Sequence, residues 1–526
     1  MKKTSKKRPN TLWRRLGTPI LGMLLLILGF LCYFSANWYF HYYGQQGFNS
    51  VLVTLFSGVN GVEGTIMKTY YQGPLFLTLI CSGVLTLWCC NWSRFHLRLK
   101  LFGKKFTLSP LRPAVYLPLC ALVCAVGVWN AAQTVSFPQW LETVGDVSTL
   151  ISREYIAPEE TEITYPEKKR NLVYILLESM ETTFASKEQG GAMEESVIPE
   201  LYQLAQENVS FSDTEGLGGW GYVSGTSWTT GGTVAQAGGI PLLLPFGGNE
   251  GDHMVRPLAA AHMLWDELHE QGYYQAVMMG SNVEFSGQLN LLRGHGIDRI
   301  YDHKYAKETG FIPQDYNVWW GIEDSRLYTY AKQELTKIAA QDQPFSFTLF
   351  TIDIHFPNGY LCPDCPRTFQ DPYENVYACA SAQAAAFVRW LQEQPFYENT
   401  TVIVCGDHLT MDSAYIQRAG LEDARRRVYN CIINGAAQPE NTKNRTFTPM
   451  DMYPTTLAAL GCRIEGERLG LGTNLYSNVP TLAEKMGVDA LNREIDGSTL
   501  PYLFRFLLEP DQGQWLLKLF PGLSPQ

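Results

Sequence analysis

The chain has 526 residues, 46% of them hydrophobic, which is enough for a membrane part together with one large domain or two smaller ones. The formal net charge is −10 but is unevenly spread: residues 1–112 carry 14 Lys and Arg against the single acid Glu63, leaving 27 basic and 50 acidic residues, about −23, for 113–526. So acidic a main part excludes nucleic acid as a partner.

Seven basic residues, from Lys2 to Arg15, precede the first apolar run. That run, 18–40, and two more, 74–92 and 113–132, each approach the ~20 residues needed to cross a ~30 Å hydrocarbon core. Run 18–40 is longer than the apolar core of a signal peptide, and no A-x-A-like site follows it, so it reads as a retained span with a Trp38/Tyr39/Tyr42/Tyr43 belt at its far end. Arg94, Arg98, Lys100, Lys104, Lys105 and Arg112 form a second basic block. The positive-inside rule places both basic stretches in the cytoplasm, and so puts residues 41–73 and everything after about Thr134 outside. The semi-apolar, Gly-broken stretch 47–71 reads as a surface helix or a connecting loop. The expected organisation is a membrane domain (1–134), a linker (135–168), a catalytic domain (169–477) and a C-terminal extension (478–526) with two short helices.

Six of the twelve cysteines lie in or beside the spans. Of the rest, Cys362-Pro-Asp-Cys365 has no second ligand pair for zinc, and an oxidising compartment favours a disulfide from Cys362 or Cys365 to Cys379. Cys405, Cys431 and Cys462 sit in apolar runs and read as core thiols.

In the outer part, buried-looking strands are predicted at 171–178, 273–279, 345–352, 401–408 and 429–433. Helices are predicted at 198–208, 256–271, 321–340, 375–393 and 451–460. This alternation specifies an α/β fold with a mostly parallel or mixed sheet sandwiched by helices, in which ligands bind beyond the carboxyl ends of the strands. Glu178, His355, Asp407 and His408 all fall at such ends. Between the first helix and the second lies Tyr222-Val-Ser-Gly-Thr-Ser-Trp-Thr-Thr-Gly-Gly-Thr-Val-Ala-Gln-Ala-Gly-Gly-Ile-Pro241, with hydroxyls just before a small-residue helix expected from about Gly231. A helix start is a favourable place for an anion. Each piece alone also fits a plain loop, a solvated strand edge or a structural histidine. The combination carries the argument.

Glu178, Asp407 and His408 make a three-ligand set for Mn²⁺, Zn²⁺ or Mg²⁺. A Thr hydroxyl beside such an ion is a usable nucleophile toward a phosphodiester: it expels one alcohol, forms a phosphothreonine, and passes the phosphoryl group to a second alcohol. His355 then protonates the leaving alcohol or holds the phosphate.

In this order the stretches Asn171-Leu-Val-Tyr-Ile-Leu-Leu-Glu-Ser-Met-Glu181, Gly225-Thr-Ser-Trp-Thr-Thr-Gly-Gly-Thr-Val-Ala235, Gly239-Ile-Pro-Leu242, His295-Gly-Ile-Asp298, Asp353-Ile-His-Phe-Pro357 and 402–408 resemble the membrane-anchored phosphoglycerol transferases. That branch of the sulfatase/alkaline-phosphatase superfamily includes the lipoteichoic acid synthases and phosphoglycerol transferase I, and the likeness is nearest to the latter. The resemblance covers about 170–460. It implies one divalent ion, Mn²⁺, on Glu178, Thr226, Asp407 and His408, with Thr226 as nucleophile and Ser227, Thr229 and Thr230 as fallbacks. It makes His355 a substrate-phosphate contact and puts Gln288 near the place where some members have a substrate-binding Arg. It implies phosphatidylglycerol as donor and a glycan or glycerol-phosphate polymer as acceptor, with the enzyme a multi-pass protein of the cell membrane and its catalytic domain outside. Thr226-Ser-Trp-Thr-Thr lacks the Pro and Arg of the C/S-x-P-x-R motif, which argues against sulfate-ester hydrolysis. The alternatives are phosphoethanolamine transfer by the same fold, and a non-catalytic glycan-binding or sensor ectodomain.

Overall fold

The computed structural model describes residues 11–43, 64–90, 97–101, 104–108, 113–138, 148–243, 257–284, 287–502 and 505–506. The chain divides into two compact units, one of 1–46 and 62–139 and one of 47–61 and 140–526.

In the first unit, α1 (Thr11–Tyr43) is followed by α2, which runs through Gly64–Tyr70, a π turn at Tyr71–Leu75, and Phe76–Cys90. A hairpin of β1 (Leu97–Leu101) and β2 (Lys104–Leu108) precedes α3 (Pro113–Thr134). Among the described residues, three segments are long and apolar enough to cross a membrane: Gly17–Tyr42, Met67–Leu87 and Val115–Thr134. The second starts seven residues before the expected 74, because the helix continues through Pro74 in the π turn rather than beginning at it. Most of the expected outer stretch 47–71 lies outside the described residues, and its last part, from Gly64, is the start of α2. Helices α1 and α3 approach closely at glycine: a Cβ on Gly127 would lie 2.1 Å from the Gly29 carbonyl oxygen. Asn37 Nδ2 donates to Asn130 Oδ1 across the same pair at 2.8 Å.

The second unit is built on a six-stranded sheet. Its elements in chain order are β3 (Asn171–Leu177), α4 (Pro199–Glu207), α5 (Thr229–Gly238), α6 (Leu264–Glu270), β4 (Tyr274–Met279), α7 (Gln288–Gly294), β5 (Arg299–Tyr301), α8 (Asp324–Ala339), β6 (Phe345–Phe350), α9 (Pro372–Gln392), β7 (Thr400–Gly406), β8 (Asn430–Ile433) and α10 (Met452–Ala459). The order across the sheet is β5-β4-β6-β3-β7-β8, all parallel except the β7–β8 edge pair. Each apolar run serves two faces. In β3, Leu172, Tyr174 and Leu176 enter one core with α5, α6 and α10, while Val173, Ile175 and Leu177 enter the other with α4, α8 and α9. This is the mixed α/β sheet sandwiched by helices that the sequence predicts.

The structured unit extends beyond the expected domain bounds at both ends. Within the expected linker, Leu150 and Ile151 are core residues, Ile163–Thr164 pairs with Arg463–Ile464, and Ile156 bridges Gly470. At the other end, α11 (Leu482–Met486), α12 (Val488–Asp496) and α13 (Thr499–Tyr502) place Leu482, Leu491, Ile495 and Tyr502 in the same core. Asn492 Oδ1 accepts the Ser224 backbone N–H at 2.9 Å, which braces the loop ahead of α5. Burying Leu482, Leu491 and Ile495 contributes about 1.5–3 kcal/mol each, a sum comparable to the ~5–15 kcal/mol net stability of a typical domain. A chain stopped after Ser477 is therefore expected to lose its cooperative unfolding transition and to become sensitive to protease. A melt indistinguishable from that of the full chain would make 478–526 a detachable extension after all.

Candidate active site

The parallel pairing of β3 and β7 sets Leu177 opposite Gly406, so the next residue of each strand, Glu178 and Asp407, leaves the carboxyl edge beside the other. His408 follows at once. One ligand atom from each of the three lies within 4.8 Å of the others. His408 Nε2 is 3.6 Å from Glu178 Oε1 and 3.4 Å from Asp407 Oδ2. Donor atoms each ~2.1 Å from one tetrahedral ion stand ~3.4 Å apart, so these atoms are already at ligand-to-ligand spacing.

The three side chains are sealed, with Glu178, Asp407 and His408 only 2%, 1% and 3% exposed. Burial, and then the neighbouring Glu178 carboxylate, push Asp407 up to about 7, against the opposing pull of His408 and two backbone N–H groups. For His408, burial draws the pKa down, but Asp407 and Glu178 outweigh it and the imidazole is raised. Two carboxylates and one imidazole remain net negative even with the ring protonated. A divalent cation offsets that charge, and the O, O, N donor set fits one.

Each ligand is aimed by a second contact. Asp407 Oδ1 accepts the backbone N–H groups of Ser179 and His408, both at 2.8 Å, which leaves Oδ2 toward His408. His408 Nδ1 donates to the Leu409 carbonyl at 2.8 Å, so Nε2 is the unprotonated nitrogen of the neutral ring. Ser179 links both carboxylates, since its Oγ also donates to Glu178 Oε1 at 2.6 Å. Its backbone is left-handed (φ +52°), and Tyr377 holds it by donating to its carbonyl at 2.7 Å. The Glu178 N–H donates to Thr351 Oγ1 at 3.0 Å.

Among the described contacts, the hydroxyl within hydrogen-bonding reach of this cluster is that of Thr229, whereas the sequence expectation was Thr226. Thr226 lies in a turn with its N–H and its Oγ both donating to the Val223 carbonyl, at 3.2 and 3.0 Å. Thr229 Oγ1 lies 3.3 Å from Glu178 Oε2 and 3.5 Å from His408 Nε2. The physical reason is where the helix starts: α5 begins at Thr229, two residues before the expected Gly231, with Trp228 as its N-cap. Thr229 is thus the first residue of the helix, and no side-chain cap closes that end. α5 crosses the strand end at very short range. A Cβ on Gly232 would fall 2.2 Å from the Asp407 carbonyl oxygen, and Gln236 Nε2 donates to the Gly406 carbonyl at 3.1 Å.

Gln288 opens α7 and donates through Nε2 to Thr230 Oγ1 at 3.2 Å, next to Thr229. His355 lies beyond β6 on the same carboxyl edge. Its Nδ1 donates to the Phe356 carbonyl at 2.8 Å, and its ring lies between Phe356 (4.9 Å) and Trp320 (4.4 Å). Beneath it, Asp324 accepts the Ile352 and Asp353 backbone N–H groups at 2.7 and 3.3 Å, and Asp353 accepts that of Asp324 at 3.2 Å. Burial raises both, Asp324 to about 7, with Glu178 adding to its shift and Asp324 adding to that of Asp353. Cys365 and Cys379 are disulfide-bonded, and Cys362 is a buried free thiol. The sequence reading assigned nothing to Ser179, Thr351, Trp320 or Asp324. Ser179 was visible only as the neighbour of Glu178.

The sulfatase family pattern matches residues 170–462. Phosphoglycerol transferase I from Shigella boydii serotype 18 is 28% identical over 479 residues, which cover 89% of this chain and 57% of that protein. Phosphoglycerol transferase I from Escherichia coli O139:H28 is 30% identical with the same coverage. The chain therefore spans little more than half the length of these curated relatives. Among solved structures, the lipoteichoic acid synthase LtaP from Listeria monocytogenes is 18% identical, with 60% of this chain and 79% of that one covered and a TM-score of 0.46. The lipooligosaccharide phosphoethanolamine transferase A (EptA) from Neisseria meningitidis is 11% identical, with 86% and 85% covered and a TM-score of 0.45.

Two expectations follow from the geometry. Ser179→Ala leaves the fold intact but frees the Glu178 carboxylate, and should weaken divalent-cation binding by about 10–100-fold in calorimetry. Unchanged affinity would remove Ser179 from the site. Asp324 titrates in the folded protein near 7, above the ~3.9 of an unfolded carboxyl. The folded state then holds a proton that the unfolded chain has lost, and stability falls as pH rises from about 4 to about 7. Asp353→Asn, which removes one of the two carboxyls, should flatten that slope in melts taken across the range.

Proposed function

The chain belongs to the sulfatase family, and on that premise we propose that it is a membrane-bound phosphoglycerol transferase working through a phosphothreonine at Thr229. The observation that carries this reading is the Thr229 hydroxyl, placed at a helix start and within hydrogen-bonding reach of Glu178 and His408. The donor is phosphatidylglycerol, and the acceptor is a glycan or glycerol-phosphate polymer outside the cytoplasm. Relatives named phosphoglycerol transferase I support the transferred group. The basic stretches flanking the first span and preceding the third support the orientation, and the Cys365–Cys379 disulfide suits an oxidising compartment.

Thr229 Oγ attacks phosphorus and forms a P–O bond, while the bond from phosphorus to the diacylglycerol oxygen breaks. The Thr229 proton leaves toward Glu178 Oε2, its present hydrogen-bond acceptor. A divalent ion held by Glu178, Asp407 and His408, Mn²⁺ in this reading, supplies positive charge that favours the ionised hydroxyl and offsets the phosphate. The uncapped start of α5 offers its dipole to the same anion. His355, fixed through Nδ1 and held between two rings, contacts the phosphate or gives the leaving alcohol its proton. In the second half, the acceptor hydroxyl attacks the phosphothreonine and gives its proton to His355, while the bond from phosphorus to Thr229 Oγ breaks and that oxygen recovers its proton from Glu178.

The test is release of diacylglycerol from labelled phosphatidylglycerol, with and without Mn²⁺. Thr229→Ala should abolish release. Thr226→Ala should lose only a turn hydrogen bond, about 0.5–1.5 kcal/mol of stability, and keep activity within a few-fold. The reverse ranking would return the nucleophile to Thr226. Release from phosphatidylethanolamine alone would move the reading to phosphoethanolamine transfer, and release from neither lipid would leave a binding or sensor ectodomain.

A further inference from the structure

The order across the sheet separates the two strands that lead to histidines. β6 runs toward His355 and β7 toward His408, and each pairs with β3 but not with the other. Main-chain pairing therefore leaves the spacing between the His355 loop and the His408 loop to other contacts. One side chain touches both. Tyr373, in the first turn of α9, donates its hydroxyl proton to the Ile354 carbonyl at 2.8 Å, one residue before His355. The same oxygen lies 2.8 Å from Thr410 Oγ1, two residues after His408.

These hydrogen bonds run in one direction. A phenol has a single proton, and it goes to Ile354, so the Tyr373 oxygen accepts from Thr410. Thr410 Oγ1 in turn accepts the Asp412 backbone N–H at 3.2 Å. The Thr410 N–H donates to Glu181 Oε1 at 2.7 Å, which anchors this end. Tyr373 is fully buried, and burial, with the Asp412 charge adding to it, pushes its phenol well above the usual value, so the proton stays in place at neutral pH. The ring is held independently of the hydroxyl, edge-on to Tyr377 (5.1 Å) and Tyr415 (5.0 Å). Tyr377, one turn further along the same face of α9, serves the other half of the site through the Ser179 carbonyl. Satisfying a buried hydroxyl takes one backbone acceptor. Tyr373 has two partners, on loops from different strands, each within two residues of a histidine of the site.

We propose that Tyr373 is a positioning residue for the transfer, its hydroxyl holding His355 at its distance from Glu178, Asp407 and His408. The inference rests on the reaction proposed above and adds the residue that aligns its two halves. A second link joins the same loops further out, where the Asn358 N–H donates to Asp412 Oδ2 at 2.7 Å. Loss of the Tyr373 hydroxyl therefore shifts the His355 loop without releasing it, and a shift of about 1 Å at a reacting group costs on the order of 10²-fold in rate.

Tyr373→Phe keeps the ring and removes the hydroxyl. On the full chain in detergent, kcat for diacylglycerol release from phosphatidylglycerol should fall by about tenfold or more at unchanged KM. Mn²⁺ affinity and the cooperative melt should stay close to those of the parent. Added to His355→Ala, the same change should cost less than about twofold more, because the group it positions is gone. Amide hydrogen exchange should rise several-fold in 353–358 and stay unchanged in β6. Thr410→Val cuts the same link from its other end, and should reproduce these effects if Tyr373→Phe does not fold. Unchanged kcat, a loss repeated in full on His355→Ala, or unchanged exchange in 353–358 overturns the proposal and leaves Tyr373 a core residue. If the parent chain releases diacylglycerol from neither lipid, the transferase reading fails, and the exchange measurement still decides whether Tyr373 holds the His355 loop.

Discussion

The site rests on one enforced neighbourhood: two carboxylates, Glu178 and Asp407, set side by side in a place without water. Parallel pairing of β3 with β7 imposes it, through Leu177 opposite Gly406. The same pairing sends alternate residues of each strand to two different cores, so a slip of one residue would exchange the side chains packed in the two cores as well as part the carboxylates. Side-chain fit within two filled cores therefore holds the register, and the register fixes the electrostatics. Burial and Glu178 push Asp407 to about 7, the same charge crowding that a divalent cation beside the pair would relieve. Ser179 takes up part of the load. From a left-handed backbone it gives one hydrogen bond to each carboxylate, an arrangement that an extended residue following the strand would not reach.

The Thr229 hydroxyl is placed by a different constraint, the distance at which α5 can pass the end of β7. Gly232 permits that approach, because a side chain there would collide with the Asp407 carbonyl. Gln236 then locks the helix to the Gly406 carbonyl and is itself held by the Tyr174 hydroxyl at 2.8 Å, so a residue inside the sheet positions the helix that carries Thr229. The loop entering α5 is held from outside by Asn492, which belongs to α12 near the end of the unit. Residues more than 260 positions apart thus cooperate to present one hydroxyl.

Much of this was legible because the strands that carry the site are continuous apolar runs ending in chemically distinctive residues. The runs at 171–178 and 401–408 announce both the sheet and its functional edge. The choice among hydroxyls was not legible. Four of them lie within 226–230, and the one that faces the carboxylates depends on whether the helix starts at residue 229 or 231, a difference that small-residue sequence does not encode. The segment 148–168 read as a linker because its strand is only two residues long, too short to show a period, and it joins the fold by pairing with 463–464 far along the chain. The C-terminal helices show a local signal in Leu491 and Ile495, four residues apart, but no local signal says which core they complete. Pro74 looked like a helix start and is instead absorbed in a π turn.

The choice of head group is a separate matter from the handling of phosphate. Thr229, Glu178, Asp407 and His408 touch only phosphorus and its oxygens in the proposed reaction, and they would serve glycerol phosphate and phosphoethanolamine alike. Discrimination has to come from residues that reach the donor beyond phosphorus. Two side chains near the site are placed for this, Gln288 beside the start of α5 and Trp320 against His355. An indole face favours an ammonium group over a diol, so Trp320 alone does not select glycerol. An amide can both donate to and accept from hydroxyls, whereas an ammonium has nothing to accept with, so in the proposed reaction Gln288 would suit a polyol better than an ammonium. With one N–H held by Thr230, its orientation is tied to the helix that bears Thr229. Selection of the head group, in this reading, is built into the same helix start as the chemistry.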